Sequence, residues 1–200
     1  INTDGAIQSI VSANQAAGIS IVKWDGTGSA STVGHGLGSA PEIIFTKRLN
    51  GSGDWYSFST FLNSGTNPAY NFIKLNSSDA EIVNGSSGGS IWNSTSPTAT
   101  VINVGTTLSA STSDNYIAYC FTSISGFSKM GTYTGNSSTQ SITGLGFQPN
   151  WLMIKQINGS NSWRIFDSAR GLSAPQTLFA NLDSQQDSES NTVSSFDSDG

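Results

Sequence analysis

Apolar residues in this chain of 200 residues alternate over short runs and never settle into a helical period. Ile19, Ile21 and Lys23 alternate with Ser20, Val22 and Trp24, the period of two expected of a strand. A Gly26-Thr27-Gly28-Ser29 turn follows, and then the element Gly36-Leu37-Gly38-Ser39-Ala40-Pro41. Glycines on both sides of a leucine permit positive φ, and proline fixes φ and removes a ladder donor. That element therefore ends one strand, drops Leu37 into the core and starts the next strand. Residues 43–45 are apolar on both faces, as in a strand covered on both sides. Asn50-Gly51 signals a hairpin, and Trp55-Tyr56-Ser57-Phe58 alternates again. Further strands are predicted at 70–75, 80–83, 100–104 and 116–121. About eight strands between 18 and 125 is the density of a β-sandwich.

The same pattern then returns. Gly126-Phe127-Ser128, Gly144-Leu145-Gly146-Phe147-Gln148-Pro149, Trp151-Leu152-Met153-Ile154-Lys155, Asn158-Gly159 and Trp163 to Phe166 answer their counterparts in the first run at a constant spacing of 108 positions. One single-residue slip sets Gly135 against Gly26. A glycine, a proline, a lysine and a tryptophan kept at one spacing indicate an internal duplication. The expected organisation is a lead-in over 1–17, a first β-sandwich over 18–125 and a truncated second one over 126–200. The counterpart of 93–125, which includes the most hydrophobic strand, is missing from the second copy. That leaves an exposed edge, so the chain is expected to continue past 200 or to receive the strand from another segment. Two tandem domains and one larger pseudo-symmetric jelly roll both fit, tandem domains the better. Within 1–17 the apolar positions Ile7, Ile10 and Val11 allow a short helical turn, but an extended linker from an upstream module is the preferred reading. The start at Ile1 suits a piece of a longer polypeptide.

Composition narrows the function. Charged residues are 10% of the chain, against about 25% in an average globular protein, and Ser plus Thr are roughly a quarter by count. The net charge of −5 and the lack of any basic cluster argue against nucleic acid and anionic membrane. No stretch reads as a signal peptide or a transmembrane span. The single cysteine, Cys120, lies in the apolar run 116–121 and reads as a buried structural thiol.

Catalytic readings find little support. Gly85-Ser86-Ser87-Gly88-Gly89 matches a hydrolase elbow literally, but it lies in a Ser/Gly run with no helix after it. The only histidine, His35, has Thr143 as its counterpart and reads as a turn residue; with one His and one Cys, a zinc site is not expected. Gly34-x-Gly36-x-Gly38 leads into a strand rather than a helix, unlike a dinucleotide loop. Asp183, Asp187, Glu189, Asp197 and Asp199 read as a solvated acidic stretch rather than a calcium site, and no close carboxylate pair of a glycosidase is apparent. Six Asn-x-Ser/Thr triplets are what this composition produces by chance. No catalytic residue, metal or cofactor is expected.

The aromatics remain. Trp55 and Trp163 stand at equivalent places after polar turns, beside Asp54 and Asn161 respectively. A tryptophan there can stack on a sugar ring while its polar neighbours bind hydroxyls; the alternative is that both rings cap the core. Trp24 and Tyr133, equivalent residues before a turn, carry the same two readings. The candidate ligand-binding set is thus Trp24, Asp54, Trp55, Tyr133, Asn161 and Trp163.

Taken in order, Gly-Ile/Phe-Ser, aromatic-x-Gly, Gly-Leu-Gly-x-x-Pro, apolar strand-Lys, Asn-Gly and Trp-x-x-Phe, closed by Tyr116-Ile117-Ala118-Tyr119-Cys120-Phe121, resemble a repeat of virion proteins of marine tailed phages. Those are tail-fibre or capsid-fibre polypeptides that often carry lectin-like modules of laminin-G or concanavalin type. The resemblance runs from Asn2 to Phe196. It implies an all-β antiparallel sandwich (jelly-roll, concanavalin- or Ig-like) that is a structural or host-attachment module rather than an enzyme. The implied location is the virion surface after assembly in the host cytoplasm. The implied partners are further copies of itself or other virion proteins, with host-surface glycan as a candidate ligand and neither nucleic acid nor membrane insertion.

Overall fold

A computed structural model describes residues 1–85, 89–172, 177–183 and 193–200. The chain is all-β and antiparallel. Its strands are β1 Ser9–Asn14, β2 Ile19–Asp25, β3 Ser31–Gly34, β4 Ile43–Arg48, β5 Tyr56–Ser59, β6 Asn71–Lys74, β7 Ile82–Val83, β8 Val101–Val104, β9 Asn115–Phe121, β10 Trp151–Ile154 and β11 Arg164–Asp167. Strands β1-β2-β9-β4-β5-β6-β7 form one seven-stranded sheet, while β3-β8 and β10-β11 form two-stranded ribbons.

The β3–β8 ribbon covers the inner face of the large sheet. Val33, Ile102 and Val104 from the ribbon share one core with Val22, Trp24, Ile44, Phe58, Tyr116, Ala118 and Cys120 from the sheet. Burial alternates along β9, with Tyr116, Ala118 and Cys120 inward. This run lies at the centre of the sheet because it is apolar on both sides, and it pairs with β2 across seven residues and with β4 across six. Leu37 enters this core as its flanking glycines allow. Gly36 and Gly38 have φ of 72° and 77°, and Gly144 and Gly146 have 85° and 77°.

Two expectations differ from the structure. Residues 1–17 are no linker, because β1 pairs with β2 over six residues and Ile7 bridges Val33 of the covering ribbon. Ile7 enters the shared core and Val11 packs against it, and Ser9 Oγ donates to the carbonyl of Gly34 at 2.7 Å, as Ser20 Oγ on β2 does to that of His35 at 2.5 Å. Asn50-Gly51 lies, as its hairpin signal implies, in the connection 49–55 of the antiparallel pair β4–β5. Asn50 also turns its amide to the next strand, donating to the Ser113 carbonyl at 2.7 Å and accepting from the Asn115 N–H at 3.1 Å.

The second difference concerns 126–200, where the described residues form one ribbon rather than a sandwich. That ribbon repeats β4–β5 at the spacing of 108: Ile43↔Ser59 and Ile44↔Phe58 correspond to Trp151↔Asp167 and Leu152↔Phe166. Even a side-chain bond recurs, for Asn76 Oδ1 accepts from the Trp55 N–H and Asn181 Oδ1 from the Trp163 N–H, both at 2.9 Å. Residues 127–133, aligned with β2, are no strand. In the first span β2 is held between β1 and β9, whereas among the described residues no strand lies beside 127–133.

The second ribbon docks on the outer face of the large sheet. Trp163, Leu62 and Ile73 make a second cluster with Phe45, Leu75, Met153 and Ile157 around them. Ile157 also accepts the Glu81 N–H through its carbonyl at 2.8 Å. The C-terminal residues are fastened to the turn before β10, where the Asp199 carboxylate accepts from the N–H groups of Gly146 and Gly144 at 2.7 and 3.1 Å. Those two bonds hold its carboxyl below the usual carboxylate range.

Candidate ligand-binding site

The long β4–β5 connection and the short 3-10 turn Thr106–Ser109 leave a groove at one end of the sandwich. Its volume is about 310 Å³, and Arg48, Asp54, Tyr56, Thr106, Thr107 and Tyr116 are among its lining. Strand alternation positions the floor: Arg48 pairs with Tyr116 and Thr46 with Tyr56, which turns Arg48 and Tyr56 to the inner face, at its open end. Tyr116 is fixed at both ends. Its ring stacks on Trp24 with centroids 5.4 Å apart, and its hydroxyl accepts from the Ala110 N–H at 3.1 Å and donates to the Thr107 carbonyl at 3.2 Å. Arg48 is held by Asp114 at 2.8 Å, with Asp114 nearly buried and Arg48 part exposed.

On the far rim the Asp54 carboxylate meets the Lys74 ammonium at 2.9 Å and accepts from the Asn76 amide at 3.0 Å. The Lys74 hydrogen bond, first of all, holds the Asp54 carboxyl below its ordinary range, and the same bond raises the lysine. Burial pushes the Tyr56 phenol up, with the Asp54 charge adding to it. Burial likewise raises Tyr116. The groove at neutral pH thus offers a guanidinium, a lysine-paired carboxylate and protonated phenol and threonine hydroxyls. It is equipped to hold a polar molecule by hydrogen bonds.

Beside Asp54, on the outer face, Trp55 keeps part of its ring open. Its centroid is 6.2 Å from that of Tyr119, and the Lys47 ammonium lies 5.9 Å above it. The loop between β4 and β5 therefore presents two adjoining surfaces, a polar groove on one side and an aromatic plate with a cation on the other.

The six candidate residues separate. Asp54 and Trp55 stand together at this loop. Trp24 is 2% exposed and donates its indole N–H to the Leu108 carbonyl at 3.0 Å, so it belongs to the core. Trp163 is 6% exposed, sets its ring edge-on to Phe45 at 6.0 Å and donates to the Lys74 carbonyl at 2.8 Å. Neither ring has a face free for a ligand. Trp163 is buried where its counterpart Trp55 is not, because the second ribbon turns this ring into the interface with the first. Tyr133 is half exposed on a strandless stretch. Asn161 is exposed, and its amide donates to the Gln156 side chain. Sequence reasoning missed Arg48, Tyr56, Thr106, Thr107 and Tyr116. The signal available was Lys47-Arg48, two of only eight basic residues standing side by side.

His35 is fully buried rather than a loose turn residue. Its Nδ1 accepts from the Leu37 N–H at 3.2 Å, so Nε2 carries the proton and donates to the Thr98 carbonyl at 3.1 Å. Both ring nitrogens are engaged in holding the glycine turn, and burial pulls its pKa down. Cys120 is buried, and burial pushes its thiol up to about 12. Among the described residues no three His, Cys, Asp or Glu side chains converge as metal ligands. Residues 86–88, the centre of the literal hydrolase elbow Gly85 to Gly89, and Asp187 and Glu189 of the acidic stretch, within 184–192, lie outside the described residues. No helix among the described residues is long and apolar enough to cross a membrane.

Sheet order, covering ribbon and shared core define the class, an all-β domain of antiparallel sandwich type. The chain belongs to the family described as a domain of unknown function, DUF7483, whose model matches residues 1–200. No curated protein and no solved structure matches it.

Proposed function

We propose that this domain is a non-enzymatic structural module of a phage virion, part of a tail fibre or surface decoration, that contributes to attachment. The observation that carries the reading is the recurrence of one strand-and-turn pattern with the order of motifs that resembles virion fibre repeats. The pairs β4–β5 and β10–β11 share one register, and the second docks on the sheet that contains the first through Trp163, Phe45 and Ile73. A chain in which one of two matched tryptophans, Trp163, docks the second repeat on the first suits a load-bearing or displaying part. Its one histidine and one cysteine serve as core residues, which fits the same role. Mass spectrometry of purified particles, with antibody labelling in electron micrographs, tests it. Peptides of this chain in the particle and label on its exterior are expected; a chain confined to the soluble lysate refutes the proposal.

A second reading, binding of a host glycan, is favoured by one observation. Trp55 stays part exposed beside Asp54 and the polar groove, with the Lys47 ammonium 5.9 Å from its ring. A volume of about 310 Å³ is at the small end of the roughly 300–1,000 Å³ of ligand sites, the scale of one sugar residue rather than a long chain. A glycan array probed with the wild-type chain and with Trp55→Ala tests it. Signals that vanish in the variant support the reading, and an array without signal removes it.

A further inference from the structure

Asn-Gly occurs at three places in the chain, Asn50-Gly51, Asn84-Gly85 and Asn158-Gly159. In such a pair the unhindered glycine nitrogen can attack the side-chain amide carbon of the asparagine before it. The structure treats the three amides differently. Asn50 is gripped at both ends, its Nδ2 by the Ser113 carbonyl and its Oδ1 by the Asn115 N–H. At Asn84 the nitrogen that would attack is engaged, because the Gly85 N–H donates to the Tyr70 carbonyl at 3.2 Å, and Asn84 Nδ2 is itself buried.

Asn158 is exposed, in the bend between β10 and β11. Its Oδ1 accepts from Gln156 Nε2 at 3.0 Å. The Gln156 amide is turned that way by Asn161, whose Nδ2 donates to Gln156 Oε1. A Cβ placed on Gly159 would lie 2.6 Å from Gln156 Nε2, so the same amide lies against the glycine too. Three amide side chains thus form a relay. It ends as a hydrogen-bond donor on the oxygen where negative charge gathers during attack on the Asn158 carbon, and a donor so placed stabilises that oxyanion.

We propose that Asn158 is a self-modification site, at which the Gly159 nitrogen displaces the side-chain amide with Gln156 as the oxyanion donor and Asn161 as its positioning residue. The Gly159 nitrogen forms a bond to Asn158 Cγ, the Cγ–Nδ2 bond breaks, and ammonia leaves with the proton from Gly159. Water then opens the cyclic imide at either carbonyl and leaves an aspartate or an isoaspartate at position 158. Water is the only co-reactant, and the net charge goes from −5 to −6. The change falls beside the joint between ribbon and sheet, where Ile157 packs with the second cluster and its carbonyl accepts the Glu81 N–H at 2.8 Å. A new carboxylate there, or the longer isoaspartyl backbone, loosens that docking. The modification is thus a slow, one-way release of the second ribbon.

The test incubates the intact chain of 200 residues at mildly alkaline pH and samples it over days. Peptide mapping by mass spectrometry with separation of aspartyl and isoaspartyl forms gives the rate at each site. Conversion at 158 is expected to be about tenfold or more faster than at 50 or 84, and the three rates are expected to converge in denaturant. Gln156→Ala and Gln156→Glu both remove the donor, the second keeping the bond from Asn161 and the shape of the side chain. Each is expected to slow conversion at 158 by about two- to tenfold, the worth of one exposed hydrogen bond. Before incubation both variants should keep wild-type amide exchange over 151–167, and afterwards the modified fraction should exchange faster there. The proposal is overturned if the folded chain converts all three sites at one rate or converts Asn50 or Asn84 first. It is overturned equally if either Gln156 variant keeps the wild-type rate.

Discussion

Replacing Trp163 by alanine separates the two readings of the matched tryptophans. In the structure this ring is 6% exposed, lies among Leu62, Ile73, Phe45 and Met153, and donates to the Lys74 carbonyl at 2.8 Å. Deleting a buried tryptophan costs about 3–5 kcal/mol, the transfer free energy of the ring plus the cavity left where neighbours relax incompletely. Trp55 is part exposed and rests against Tyr119, so the same deletion there costs about 1 kcal/mol, the scale of one aromatic pair. With a urea m-value of about 2–3 kcal/mol/M for a chain of this size, Trp163→Ala lowers the unfolding midpoint by about 1–2 M. If the second ribbon opens by itself, the loss appears instead as faster amide exchange over 151–167. Trp163→Phe keeps the edge-on contact with Phe45 and loses mainly the indole hydrogen bond, about 1 kcal/mol. Urea denaturation with segment-resolved exchange measures all three variants. If Trp163→Ala leaves both midpoint and exchange at wild-type values, the docking of the second ribbon described above is wrong.

Three further outcomes follow from buried groups. His35 has its pKa lowered chiefly by burial, so the unfolded chain binds more protons below its ordinary value near 6.5. Stability is therefore full above about pH 6.5 and falls as pH drops from there toward the folded value; urea midpoints across pH 5–7 should show this slope, and His35→Gln should flatten it. Cys120, pushed up to about 12 by burial, should resist a thiol reagent at pH 8 in the folded chain and react at once in denaturant, as colour release would show. Tyr116→Phe should cost about 1–3 kcal/mol in a denaturation curve, because the Ala110 N–H and the Thr107 carbonyl both lose their hydroxyl partner.

How much was legible in the chain can be told from particular residues. The alternation through Ser20, Val22 and Trp24 placed β2 correctly, and the run 116–121 was readable as the most buried strand. It could not say which face of β2 would be covered. Ile21 lies 39% exposed while Ser20 is buried, since Ser20 finds the His35 carbonyl and Ile21 faces the outer side of the sheet. β1 was missed because its apolar positions follow no stripe: Ser9 is its buried residue while Ile10 is 63% exposed. Asn50-Gly51 marked the β4–β5 hairpin, but not that Asn50 would also bridge Ser113 and Asn115, far apart in sequence. Of the candidate site, Asp54 and Trp55 were visible as a polar turn with an aromatic. Arg48, Thr107 and Tyr116 were not, since 68 residues separate Arg48 from Tyr116 although they are paired neighbours in the sheet.

The sequence alone determined the local grammar of this protein: strands of period two, glycine turns with positive φ at 36, 38, 144 and 146, and one pattern used twice. Those features depend on residues near one another along the chain, where sterics and alternation act directly. Only the tertiary structure decided that one matched tryptophan is buried and the other part open. It alone decided that the second span makes a ribbon docked on the first. Those outcomes depend on which strand reaches the centre of a sheet. Burial is a property of the neighbours a side chain finds, and identical motifs with different neighbours end in different environments.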